Sequence, residues 1–84
     1  MNERLRALIA ELLDLPSVDV TPDMRRDEVE AWDSLNHLRL ITAIEAEFGA
    51  TFSMDEIATL QTPRDMQRII DSRADSRARL QSAR

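Results

Sequence analysis

Between Trp32 and Gly49 the chain has little freedom in what it can become. Leu40, Ile41, Ile44 and Phe48 recur at the spacing of one helical face, Asp33 and Ser34 stand before the run, and the chain's single glycine, Gly49, follows it. Asp and Ser are favoured helix starts, and glycine readily adopts the left-handed conformation that closes one. The pattern predicts a helix over residues 34–48 with one buried arc. Leu35, Leu38 and Thr42 fall outside the centre of that arc and are expected at the surface, as a docking face requires. An edge-of-core position for Leu38 is the alternative.

The start of this helix also offers a chemical opportunity. Unpaired backbone N–H groups and the positive end of the helix dipole stabilise negative charge there, so a phosphate carried on Ser34 would be favoured. A plain capping role for Asp33 or Ser34 is the competing explanation, because caps are far commoner than modification sites. His37 lies one turn from Ser34 and raises the idea of a serine–histidine pair, but nothing in the sequence orients the ring or supplies oxyanion donors. A surface or core-edge position is expected for it, and no catalytic residue is assigned.

The remainder of the chain reads as support for that helix. Leu5, Leu8, Ile9, Leu12 and Leu13 mark an amphipathic helix over residues 3–14, ended by Pro16. From Pro16 to Trp32 the residues show turn chemistry without a sustained period, predicting a long loop anchored by Val18, Val20 and Val29. Phe52 returns to the core, and Ser53-Met54-Asp55-Glu56 has the capping-box pattern of a third helix containing Ile57 and Ala58. Thr62-Pro63 ends that helix near Leu60, so it spans barely two turns and is the element least able to stand alone. The same Thr-Pro pair opens a last helix with Met66, Ile69 and Ile70 on its core face. The fold class is therefore all-α: a four-helix bundle over residues 1–72, followed by a polar, arginine-rich tail over residues 73–84 that extends the helix or frays.

Size and charge narrow the functions open to such a chain. Its 84 residues make one small domain, large enough for a core but not for a deep enclosed cleft, which disfavours a self-sufficient enzyme. The net charge of −5 argues against nucleic acid as a partner. From Asp27 to Glu56 the acidic residues outnumber Arg39, the lone basic one, eight to one, giving the Ser34 region a field suited to steering a basic partner. The absence of cysteine excludes disulfides and thiolate metal sites, and no metal-ligand spacing is present. No apolar run is long enough for a signal peptide or membrane span, so a cytoplasmic monomer is expected.

Asp33-Ser34-Leu35, followed in register by Leu40, Ala43, Ile44, Glu45, Glu47 and Phe48 and then by Phe52, Glu56, Leu60 and Thr62, resembles the acyl carrier protein family, which includes peptidyl carrier domains. The resemblance covers the chain from Leu5 to Ile70. It implies that Ser34 carries a 4′-phosphopantetheine arm through a phosphodiester, with Asp33 and Leu35 presenting it to a phosphopantetheinyl transferase. The working thiol would sit on the arm, and the lack of a competing protein thiol is consistent with that.

The resemblance further implies a free-standing, non-catalytic carrier. It would hold acyl or aminoacyl groups as thioesters, receive them from a loading enzyme and deliver them to a downstream synthase or transferase. Leu35, Leu38, Thr42, Glu45 and Glu47 would form the partner-binding face, and Ile57 and Leu60 would line a shelter for an acyl chain. Asn36 and Arg39 stand where the better-known fatty-acid carriers have acids, and Ala31 stands where glycine is common. These departures point towards specialised lipid, polyketide or nonribosomal-peptide-type biosynthesis. Trp32 is expected to pack beneath the loop in preference to leaning on the arm. The alternative function is a helical interaction module that keeps the fold without the arm.

Overall fold

The computed structural model describes the backbone of residues 1–82 and the side chains of residues 1–74. Its elements are four helices, α1 (Glu3–Leu13), α2 (Ser34–Phe48), α3 (Met54–Thr59) and α4 (Pro63–Ser82), with single 3-10 turns at Ser17–Asp19 and Arg26–Glu28 in the loop between α1 and α2. No strand occurs among the described residues.

Each helix begins and ends for an identifiable reason. Asn2 Oδ1 caps α1 by accepting from the backbone N–H groups of Arg4 and Leu5, at 2.8 and 3.1 Å. The helix stops at Asp14, which takes a left-handed conformation at φ 54°, while the Leu15 N–H reaches back to the Ala10 carbonyl at 2.9 Å. Pro16 therefore follows a stop that has already been made. Gly49, at φ 63°, closes α2 where the sequence placed the end.

Ser53 and Glu56 form the expected reciprocal capping box at the start of α3. Thr62 does the same for α4 with Asp65: Thr62 Oγ1 accepts from the Asp65 N–H at 3.2 Å, and Asp65 Oδ2 accepts from the Gln61 and Thr62 N–H groups.

The core joins Leu5, Ile9 and Leu13 of α1, Leu40, Ile41 and Ile44 of α2, Phe52 and Leu60 around α3, and Met66 and Ile70 of α4. Leu8, Leu12, Phe48, Ile57 and Ile69 pack against it half-buried. A buried leucine of this kind contributes roughly 1.5–3 kcal/mol through removal of apolar surface from water.

The long loop is tied down along its length. Val20 is buried and Met24 and Val29 are half-buried, but Val18, expected as a third valine anchor, is 83 % exposed. It sits inside the first 3-10 turn, in which no residue is buried, and the tight turn aims it at solvent.

Further along, the Arg26 N–H donates to the Gln61 carbonyl at 2.8 Å and the Arg64 N–H to the Pro22 carbonyl at 3.0 Å. The Arg64 guanidinium forks onto both oxygens of Asp23, holding that carboxyl below its usual range. The loop is thus laced to the α3–α4 junction. Midway along α4, Arg73, the first residue of the segment read as a tail, donates to the Thr51 carbonyl and pairs with Glu56. The helical backbone continues to Ser82. Leu80 and the other side chains from Asp75 onward lie outside the described residues.

Candidate functional site

Ser34 occupies the first position of α2, immediately after the N-cap Asp33. Asp33 Oδ1 accepts from the Asn36 N–H at 2.8 Å, and the Asp33 carbonyl accepts from the His37 N–H at 2.8 Å. Capping therefore belongs to Asp33 alone. Ser34 is exposed, and its hydroxyl has no hydrogen-bond partner among the described residues. Asn36 Nδ2 donates to the Ala31 carbonyl at 2.8 Å, which fixes the turn that delivers the serine to the surface. The two explanations offered by the sequence are thereby separated onto two residues: Asp33 closes the helix end, and Ser34 is left available.

The residues beneath are buried and hydrogen-bonded. Trp32, 2 % exposed, packs under the loop, and its indole N–H donates to His37 Nδ1 at 3.0 Å. The second ring nitrogen, Nε2, lies 2.8 Å from the Ile57 carbonyl. Both contacts are satisfied together by a neutral ring with its proton on Nε2, donating to Ile57. Burial pushes the His37 pKa down, the bond to Ile57 opposes that shift, and the Arg26 charge adds to it.

His37 was expected at the surface or the core edge; it is 3 % exposed and joins the loop, α2 and α3. Apolar periodicity gives no signal for such a residue, because its burial depends on two partners brought from elsewhere in the chain. With both nitrogens engaged, it is not a base for Ser34.

Ser34 opens onto a shallow cleft of about 360 Å³, lined by Arg26, Asp27, Trp32, Asp33, Ser34 and Gln61. Arg26 and Gln61 went unrecognised in the sequence, since neither shares a period or motif with Ser34. The backbone bond between them is what places them at one rim.

The other proposed site residues scatter over two surfaces. Leu35, at 65 % exposed, and Leu38, at 55 %, stand out from α2, with Thr42 exposed beyond them and donating to the Leu38 carbonyl. A groove of about 440 Å³ between α1 and α2 continues this face, lined by Leu12, Leu38, Arg39, Thr42, Ala43 and Ala46. Glu45 and Glu47 point elsewhere: Glu45 Oε2 accepts from the Phe52 N–H at 2.8 Å, and Glu47 pairs with Arg4. Glu47 is exposed and Glu45 half-buried on α2. Ile57 is half-buried on α3, and Leu60 is fully buried just beyond it.

The family described as phosphopantetheine attachment site matches residues 3–70 of this chain. It is 37 % identical over 71 residues to the acyl carrier protein of Treponema pallidum, covering 83 % of this chain and 90 % of that protein. The acyl carrier protein of Thermosynechococcus vestitus is 31 % identical over 71 residues, covering 84 % and 88 %. The solution structure of a holo acyl carrier protein from Geobacter metallireducens superposes with a TM-score of 0.80 over 92 % of this chain and 88 % of that one, at 23 % identity, so it shows the shared fold. With four helices in this arrangement and a serine at the mouth of α2, the chain belongs to the acyl carrier protein family, whose cofactor is covalently attached 4′-phosphopantetheine.

Proposed function

We propose that this protein is a carrier whose Ser34 bears the 4′-phosphopantetheine arm as a phosphodiester. The observation that carries the reading is the division of labour at the start of α2: Asp33 takes the capping role, and the neighbouring serine is exposed with its hydroxyl unengaged among the described residues. The residues present fit the group. A phosphate on Ser34 sits at the positive end of α2, beside a cleft that also presents a guanidinium. The arm supplies the thiol on which acyl or aminoacyl groups are held; this chain contributes presentation.

Presentation depends on rigidity beneath and access above. Trp32 and His37 fix the loop and α3 under the attachment point. Leu35, Leu38 and Thr42 form the face that meets the transferase, the loading enzyme and the enzymes that consume the cargo. Ile57 and Leu60 mark the side of the bundle where an acyl chain would shelter, since α3 is short and opens at low cost. Asn36 and Arg39, in place of the acids of fatty-acid carriers, support service in specialised lipid, polyketide or nonribosomal-peptide-type biosynthesis.

The test is intact-protein mass spectrometry after co-expression with a broad-specificity phosphopantetheinyl transferase. The expected result is a gain of one arm per chain, abolished by Ser34→Ala. A wild-type protein that stays bare with every such transferase overturns the reading.

A further inference from the structure

We propose that Arg26 is the counter-cation of the arm's phosphodiester, seating the first part of the arm in the cleft over Trp32 and towards Gln61. This rests on the assignment of the arm to Ser34.

The charges around the cleft support the assignment. Of its lining residues, Asp27 and Asp33 are the acids that would compete for Arg26 or repel a phosphate. Neither pairs with Arg26: Asp33 caps α2 through the Asn36 N–H, and Asp27 takes the Arg25 guanidinium on its two oxygens at 3.2 and 3.4 Å. Arg26, by contrast, forms no ion pair among the described residues although it is half-buried. A half-buried guanidinium without a carboxylate is a favourable place for an oxyanion, because it presents a planar fork of donors that matches phosphate and remains charged at every physiological pH.

Covalent connectivity supplies the other half. The phosphorus would be bonded directly to the Ser34 oxygen, so the anion must begin at the rim Ser34 shares with Arg26. The Arg26 backbone is held by its bond to the Gln61 carbonyl, which fixes the point at the cleft rim from which its side chain extends. Gln61 lines the same cleft, and its carboxamide makes no hydrogen bond among the described residues. It is thereby a suitable partner for the amides that follow the phosphate along the arm, while the Trp32 ring offers an apolar floor.

The experiment compares apo and holo forms of wild type, R26Q and R26K by ¹⁵N–¹H correlation spectra and by ³¹P NMR of the phosphodiester. In wild type, loading the arm is expected to shift the Trp32 indole N–H, the Gln61 side-chain amide and the 26–28 backbone. These shifts should shrink between about 0.1 M and about 1 M salt, as the screening length falls from about 10 to about 3 Å. R26Q should lose them and move the ³¹P resonance to that of the free arm, whereas R26K, which keeps the charge without the fork, should retain part of both.

The apo spectrum of R26Q reports whether the fold survives, and retention is expected because the tie to Gln61 uses the backbone. Holo wild type and holo R26Q with the same ³¹P position and the same shifts at Trp32 and Gln61 overturn the role of Arg26 while leaving the carrier reading intact. A wild type that never gains the mass of the arm overturns both.

Discussion

The indole N–H of Trp32 donates to Nδ1 of His37 at 3.0 Å, and the same ring reaches the Ile57 carbonyl with its other nitrogen at 2.8 Å. One imidazole thus spans the loop, the first turn of α2 and the short α3. Because α3 is only six residues long and none of them is fully buried, this contact and the Arg73–Glu56 pair are major restraints on its position. The neutral ring is required, since a proton on Nδ1 would face the Trp32 donor.

Acid is therefore expected to loosen the site end of the bundle. Burial places the His37 pKa below the ordinary value, so the folded state binds this proton less readily than the unfolded one. The resulting stability is complete above the unfolded pKa of about 6.5 and is lost as pH falls from there towards the folded pKa. Thermal melts from pH 7.5 downward should show Tm beginning to fall near pH 6.5, and His37→Gln should flatten that part of the profile. A wild-type Tm constant down to pH 5 would contradict the neutral-ring assignment.

Adjacent residues at the start of α2 should behave oppositely in a melt. Asp33→Ala removes a cap and is expected to cost about 1 kcal/mol, which in a domain of this size lowers Tm by roughly 4–8 °C. Ser34→Ala removes a hydroxyl with no partner among the described residues, so the unfolding free energy should stay within about 0.5 kcal/mol of wild type. Calorimetry on the two unmodified variants checks the contrast.

Two leucines on the same helix should separate binding from folding. Leu40 is fully buried and Leu38 is 55 % exposed. Leu40→Ala is expected to cost about 2–5 kcal/mol through lost burial and a residual cavity. Leu38→Glu should leave the denaturant midpoint nearly unchanged while slowing modification by the transferase, measured as the initial rate of mass gain. Equal rates for Leu38→Glu and wild type would remove Leu38 from the partner face.

Asp14 offers a stabilising change. Its left-handed conformation at φ 54° is disfavoured for a residue with a Cβ by roughly 1 kcal/mol and costs glycine almost nothing. Asp14→Gly gives part of that back as unfolded-chain entropy, leaving a net gain of a few tenths of a kcal/mol. Urea melts should show a higher midpoint with an unchanged slope.

Local chemistry made much of this architecture readable. The boundaries of α2 followed from Asp33 and Gly49, the capping box from Ser53 and Glu56, and the exposure of Leu35 and Leu38 from their place on a helical wheel. Expectation and structure part where a local turn or a contact from another segment overrides composition. Val18 has the composition of an anchor, but a 3-10 turn directs it outward. His37 has the composition of a surface residue, but the Trp32 indole and the Ile57 carbonyl take up its two ring nitrogens.

The amino-acid order by itself determined the helices, their caps and the serine at the mouth of α2, because each is set by neighbours within a turn or two. Only the tertiary structure decided that His37 is a buried tie and that Arg26 and Gln61 share a cleft with Ser34. Those outcomes depend on how the long loop is laid against the α3–α4 junction, which hydrogen bonds between distant backbone groups fix and no local pattern encodes.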